Sequence, residues 1–277
     1  MPKLRVGIAD TLDTRALAWG LLKGHHADLF SPLVRPAHLI GRLLEQGGVD
    51  VALTPSVEVA AVGGLQVLPD LCIAFHGAAR SLVLLSRSPL SQIRRLMRER
   101  GTGTGAVALS ILLAEIFGRF PEVEEREPGE LTGGRGPLDP GRPTSLAPGE
   151  AVLLTGGAAL RAPREDLHAL DIGAAWRELT GRPLVMGVWA VRPGVTLPEL
   201  PFYFKSSLRY GLSSLGAIAR EGAAELGVGS RELEDYLRKT VSYLLREEER
   251  RGLQDLFDRA ARHGLAPKRR LELYDGG

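Results

Sequence analysis

Residues Leu39–Ser56 read LIGRLLEQGGVDVALTPS, and their order decides the fold. Apolar residues at helical spacing stop at Gly47-Gly48. The short run Val49–Leu53 follows and ends in the polar turn Thr54-Pro55-Ser56. Glycines close a helix, and a short apolar run bounded by turn residues reads as a buried strand. Gly149–Ala159, GEAVLLTGGAA, repeats the strand and its small polar turn. Ligands of α/β sheets bind at the carboxyl ends of strands. Two similar lobes would therefore present these turns to one shared cleft.

The same alternation extends outward. Leu4–Ala9 reads as a buried strand, Arg15–Leu22 as a helix, and Val34–Leu44 as a second helix with Arg35-Pro36 near its start. Leu65–Leu68, Leu71–Phe75 and Leu82–Ser86 read as strands, and Pro89–Glu99 as a charged helix. Gly101–Gly105 then leads into an apolar helix, Ala106–Phe117. Asp171–Thr180 reads as a helix and Leu184–Val191 as a long apolar strand. From Leu208 the chain reads as helical, with exposed amphipathic helices over Ser230–Arg251 and Gly252–His263. Strands alternating with helices predict an α/β fold with largely parallel sheets. Residues 126–150 are rich in Gly and Pro and read as a loop, an insertion in preference to a lid.

A chain of 277 residues suffices for one large domain or two lobes. A net charge of +2 and 5% aromatic residues argue against a nucleic-acid partner. Cys72 is the single cysteine, so no internal disulfide forms, and it reads as a buried inert thiol. Neither a signal-peptide segment nor a run of ~20 apolar residues is visible, which leads us to expect a cytoplasmic protein without a membrane span. The six His residues lack metal-ligand spacing, and no Gly-x-Ser-x-Gly elbow is present. His25-His26 reads as a surface turn and Trp189 as core.

Candidate site residues lie in the turns after the strands: Asp10–Thr14, Thr54–Ser56, His76–Ser81, Thr102–Gly105 and Thr155–Gly157. Hydroxyls and small residues there expose backbone N–H groups. Helix N-termini expected at Thr14 and Gly105 attract anions, and the Arg80 guanidinium suits a carboxylate. Gly101–Gly105 is not a Walker loop, because no Gly-Lys-Ser/Thr follows. It reads either as an anion or hydroxyl site or as a plain tight turn. Asp13 reads either as a base or as a helix N-cap, and His76 either as a cleft residue or as a structural one.

At these same turns the chain resembles the MqnA family, the chorismate dehydratases of the futalosine route to menaquinone. The match is carried by Val6–Leu17 (VGIADTLDTRAL), Gly48–Val59 (GVDVALTPSVEV), Leu68–Ser86 (LPDLCIAFHGAARSLVLLS), Val107–Leu113, Asp171–Val191 (DIGAAWRELTGRPLVMGVWAV) and Tyr236–Leu265. The resemblance implies a type II periplasmic-binding-protein fold of two α/β lobes with a central ligand cleft. It implies crossings near Ser86 and Val191, so that 1–86 plus 192–277 form one lobe and 87–191 the other. It further implies elimination of water from chorismate, a small dicarboxylate, without cofactor or metal. Asp13 and Ser81 would then be catalytic. Thr14, Ser56, Arg80, Thr104, Gly105, Ala106, Thr155 and Gly157 would bind substrate. Several positions depart from the family pattern: Asp13 stands for Asn, Ala16 for Pro, Gly105-Ala106 for Thr-Ser, and Gly157 for an acidic residue. Thr102, Thr104 and Thr155 are hydroxyls available to compensate. The alternative reading is a non-catalytic cytoplasmic binding protein for a small carboxylate.

Overall fold

The computed structural model describes residues 3–24, 26–101, 103–118, 120–132, 145–162 and 164–276. The strands described there form two sheets. The first contains β1 (Leu4–Ala9), β2 (Phe30–Arg35), β3 (Val51–Pro55), β4 (Gln66–Phe75) and β10 (Leu184–Val191), in the order β2-β1-β3-β10-β4. The second contains β5 (Leu82–Ser86), β6 (Arg95–Glu99), β7 (Glu122–Arg126), β8 (Glu150–Thr155) and β9 (His168–Asp171), in the order β7-β6-β8-β5-β9. The two orders coincide once β10 and β5 are set aside as inserted strands: in each sheet the remaining strands run second, first, third and fourth, with the inserted strand between the third and the fourth. In each sheet the inserted strand, β10 or β5, runs antiparallel to both neighbours and is the first strand after the chain changes sheet. The sequence near-repeat marks the equivalent third strands, β3 and β8.

The chain leaves the first sheet between Phe75 and Leu82 and returns between Asp171 and Leu184. This corrects the lobe boundaries expected at Ser86 and Val191. Leu82–Ser86 already belongs to the second sheet and Leu184–Val191 to the first. A run buried on both faces reads the same whichever sheet receives it, so its sequence carries no sign of its partners.

Other elements also differ from the sequence reading. Phe30–Arg35 is a strand, and the helix begins after Pro36 as α2 (Ala37–Glu45). Pro32 lowers the strand signal, yet β2 is an edge strand, where proline is tolerated. Pro89–Glu99 is not a helix: a 3-10 turn at Leu90–Gln92 precedes β6. The charges that suggested a helix pair across strands instead. Arg95 meets Glu124 at 2.6 Å, and Arg98 meets Glu125 at 2.8 Å. β4 is one long strand interrupted near Asp70, whose φ is 68°. β7 and β9 were not foreseen.

Helices α1 (Leu12–Lys23), α3 (Ser56–Ala61), α4 (Gly103–Phe117) and α5 (Gly156–Arg161) each start just beyond the carboxyl end of a strand. α6 (Ile172–Thr180) follows β9. The C-terminal part supplies α7 (Leu200–Ser213), α8 (Leu215–Leu226), α9 (Ser230–Asp235) and α10 (Glu247–Arg262). The expected helix over Ser230–Arg251 is thus divided. A π-type turn at Tyr236–Thr240 ends it, and Ser242 bridges to Ala74 at the end of β4.

Period-2 alternation sorts the core. Leu82 and Leu84 join the large cluster that runs through both lobes, whereas Val83 and Leu85 face a smaller cluster with Met97, Val152 and Leu154. Small residues set the contact of α1 with α7. A methyl at Gly20 would overlap Ser207, and one at Gly211 would overlap the Ala16 carbonyl. The Ser207 hydroxyl donates to the Leu17 carbonyl at 2.6 Å and accepts from the Leu21 N–H at 3.1 Å. This packing anchors α1, whose N-terminus forms one wall of the cleft.

Candidate active site

A cavity of about 410 Å³ opens between the lobes at the carboxyl ends of the strands. Its size falls within the range of small-molecule sites. The turn after β1 contributes Asp10 and Thr11, and the start of α1 contributes Leu12, Asp13, Thr14 and Arg15. Thr54 and Pro55 come from the end of β3, Ser81 from the first crossing, Gly101 and Thr104 from the start of α4, and Thr155, Gly156 and Gly157 from the end of β8. Glu225 and Leu226, at the end of α8, complete the rim.

Asp13, Tyr236 and Ser81 form a connected chain. The Tyr236 oxygen lies 2.7 Å from Asp13 Oδ1 and 2.7 Å from Ser81 Oγ. A phenol has one proton, and the carboxylate is the stronger acceptor. Tyr236 therefore donates to Asp13, and the Ser81 hydroxyl donates to Tyr236. Tyr236 is fully buried, and Asp13 is half-buried in the first turn of α1. Burial raises the Asp13 carboxyl to about 6, against the opposing effect of the Tyr236 hydrogen bond. Burial, and then the Asp13 charge, push the Tyr236 phenol well up, so it keeps its proton.

The first crossing is held by Asp171. Its Oδ1 accepts from the N–H groups of Ala79 at 2.8 Å and Ala174 at 3.0 Å, and its Oδ2 accepts from Arg80 N–H at 2.7 Å. Asp171 thus caps α6 and ties it to the segment before Ser81. Arg80 has φ 61°, a left-handed conformation that a non-glycine residue adopts at a cost. The carboxylate stabilises that backbone and so fixes the approach of Ser81.

The expected site residues divide into two groups. Asp13, Thr14, Ser81, Thr104, Thr155 and Gly157 line the cavity. Thr14 Oγ1 lies 2.6 Å from the Ala9 carbonyl and 2.7 Å from the Thr11 carbonyl, so its proton is engaged inside the turn. Thr104 Oγ1 accepts from Val57 N–H at 3.3 Å across the lobes, which leaves its own proton available to a ligand. Gly157 meets Leu226 so closely that any side chain there would displace it. Ser56, Arg80, Gly105 and Ala106 are not among the lining residues. Ser56 is fully buried at the start of α3, Gly105 packs against Leu82, and Ala106 is buried in α4. Arg80 points to Glu232, 3.0 Å away. The helix N-termini lie at Leu12 and Gly103, slightly before the expected positions.

Thr102, His25 and residues 133–144 of the Gly/Pro-rich loop lie outside the described residues. His76 bonds the buried Glu249 at 2.6 Å and does not line the cavity. Trp189 and Cys72 are buried core residues. Among the described residues, no group of three or more His, Cys, Asp or Glu side chains could hold a metal ion. No helix there is long and apolar enough to cross a membrane.

Sequence reasoning missed Tyr236, Arg15, Asp171 and the Glu225–Leu226 rim, whereas Thr54 lies in a turn it had singled out. The hydroxyls of Thr54 and Ser56 are buried without a partner among the described residues, and Thr54 lines the cavity. Tyr236 had only a faint signal, an aromatic residue inside a highly charged stretch, LEDYLRK.

Two five-stranded sheets of one topology, joined by two crossings around a cavity, define a two-lobed α/β protein of the periplasmic-binding-protein type. The periplasmic aliphatic sulphonate binding protein SsuA of Escherichia coli shares this fold, with TM-score 0.63 and 15% identity over 100% of this chain and 95% of that one. Protein AF1704 of Archaeoglobus fulgidus is also similar, with TM-score 0.73 and 18% identity over 95% of this chain and 98% of that one. The chain belongs to the menaquinone biosynthesis family, whose sequence profile matches residues 4–262. A chorismate dehydratase of Thermus thermophilus is 31% identical over 239 residues, which cover 79% of this chain and 82% of that protein. The fold class and the family resemblance read from the sequence are both borne out.

Proposed function

We propose that this chain is a chorismate dehydratase that converts chorismate to 3-[(1-carboxyvinyl)oxy]benzoate and water in the cleft between its lobes, without a cofactor. The observation that carries the mechanism is the Asp13–Tyr236–Ser81 chain at the cavity wall. The related chorismate dehydratase supports the choice of substrate.

The hydrogen on ring carbon 3 is acidified by conjugation, through a ring double bond, with the ring carboxylate. Asp13 accepts this proton. A carboxyl raised to about 6 is a stronger base than an ordinary aspartate and is still mostly ionised at neutral pH. The C–H electron pair becomes the new ring bond as the bond from carbon 4 to its hydroxyl breaks. In chorismate that hydrogen and that hydroxyl lie on the same ring face, so one carboxyl can take the proton and return it to the departing hydroxide. The products are water and an aromatic ring, whose formation drives the step. Tyr236 holds the carboxyl in place, and Ser81 extends the hydrogen-bond line.

Charge that develops on the ring carboxylate is met by preorganised donors. These are the free proton of Thr104, the unpartnered Thr54 hydroxyl and the N–H groups that open α1. Closure of the lobes excludes water and holds the reactive conformer.

Paired binding and turnover measurements test this reading. Chorismate should raise the melting temperature of wild type and of Asp13→Ala alike, with only wild type turning it over. Equal turnover by Asp13→Ala would remove Asp13 as the proton acceptor and leave the substrate's enolpyruvyl carboxylate in that role.

A further inference from the structure

Among the described residues that line the cavity, Arg15 is the only cation, and Asp10, Asp13 and Glu225 are the acids. Arg15 stands in the first turn of α1 with its side chain 20% exposed. It is already engaged. Its Nη1 donates to Glu225 Oε1 at 3.1 Å, and its Nη2 donates to Glu225 Oε2. Asp10 lies 3.7 Å from Nη2. A guanidinium fork against both oxygens of one carboxylate is the geometry by which arginine recognises carboxylate ligands.

This arrangement poses an electrostatic problem. A dicarboxylate entering the cavity meets three acids and one neutralised cation, and unpaired like charges oppose binding. Arg80, the guanidinium that the sequence suggested for this task, faces Glu232 instead. An incoming carboxylate that takes the Arg15 fork removes the difficulty, because it releases Glu225, whose side chain is already 53% exposed, into water. Glu225 adjoins Leu226, which covers Gly157 and whose carbonyl accepts from Arg161 of the other lobe. Exchange at Arg15 therefore also acts on the rim that closes the cavity.

We infer that Arg15 is the carboxylate anchor of the cavity and that Glu225 occupies it as an internal surrogate, which a carboxylate of the ligand displaces. The identity of the acid rests on the proposed function. The anchor itself requires only that the ligand be a carboxylate.

The test is calorimetric titration of the full chain with two probes, 3-[(1-carboxyvinyl)oxy]benzoate and isophthalate, together with the monomethyl esters of each. Arg15→Gln should weaken binding of the diacids about 10- to 100-fold, the span of charge-assisted hydrogen bonds. It should also erase the preference of wild type for the diacid over one of its monoesters. Glu225→Gln should tighten diacid binding. Arg15→Lys keeps the charge without the fork and should fall between Arg15→Gln and wild type, which guards against a misfolded glutamine variant. Diacid binding unchanged in Arg15→Gln, weakened binding in Glu225→Gln, or a wild type that binds no diacid would each overturn the inference. A wild type that binds isophthalate through Arg15 yet makes no product from chorismate would uphold the anchor and defeat the proposed function.

Discussion

The Tyr236 hydroxyl donates to Asp13 Oδ1 over 2.7 Å, joining residues 223 positions apart in the chain. The contact fixes a carboxyl at the cavity wall that burial has already made more basic. It also makes the acid–base behaviour of the cleft depend on the C-terminal segment, which returns to the first lobe after the second crossing.

Asp13 should make stability and activity respond to pH in opposite senses. Burial raises its carboxyl from 3.8 to about 6. Between those values the folded protein holds more protons than the unfolded chain, so stability is greatest below pH 3.8 and declines as pH rises through 6. At neutral pH the ionised group costs the fold about 3 kcal/mol. Asp13→Asn should therefore melt higher than wild type at pH 7 and at about the same temperature near pH 4. Parallel melting profiles would contradict this. Wild-type kcat/KM should fall below pH 6 as the base becomes protonated.

Tyr236→Phe removes the donor that lowers the Asp13 carboxyl. The acid limb of the kcat/KM profile should move to higher pH, and stability should drop by about 1 kcal/mol. An unmoved limb with lower kcat would reduce Tyr236 to a purely steric role.

Asp171→Ala strips three backbone N–H groups of their acceptor at the crossing. The expected loss is about 3 kcal/mol in urea unfolding. Because the left-handed Arg80 loses its tether, kcat should fall more than KM rises. A stability loss without a kcat effect would show that Ser81 is placed by other contacts.

Gly211→Ala should loosen α1 from α7, because the added methyl overlaps the Ala16 carbonyl. A loss of about 3 kcal/mol is expected. Ser213→Ala, on the exposed end of the same helix, should change stability little and serves as the control.

The sequence revealed the elements whose signal is local. Leu4–Ala9 and Leu184–Val191 are strands with the expected bounds, and the repeat at Val51–Pro55 and Glu150–Thr155 marked equivalent strands. Partnership was not legible. Leu82–Ser86 and Leu184–Val191 were assigned to the wrong sheets, because a strand buried on both faces shows no preference. Arg95–Glu99 was hidden by charges that find partners only on neighbouring strands. At the site, Asp13 and Ser81 were legible from their turns. Tyr236 and Arg15 were not, since one acts through a long-range contact and the other through its direction from α1. Arg80 was favoured for its turn after a strand and its carboxylate-matching fork, and its ion pair with Glu232 turns it away from the cavity.

The most direct test of the central claim is incubation of the purified full chain with chorismate, with products separated by chromatography and followed by ultraviolet absorbance. The expected result is 3-[(1-carboxyvinyl)oxy]benzoate in amounts that track enzyme and time, and its loss with Asp13→Ala or Ser81→Ala under conditions where those variants stay folded. Absence of the product with wild type, and no rise in melting temperature on adding chorismate, would contradict it.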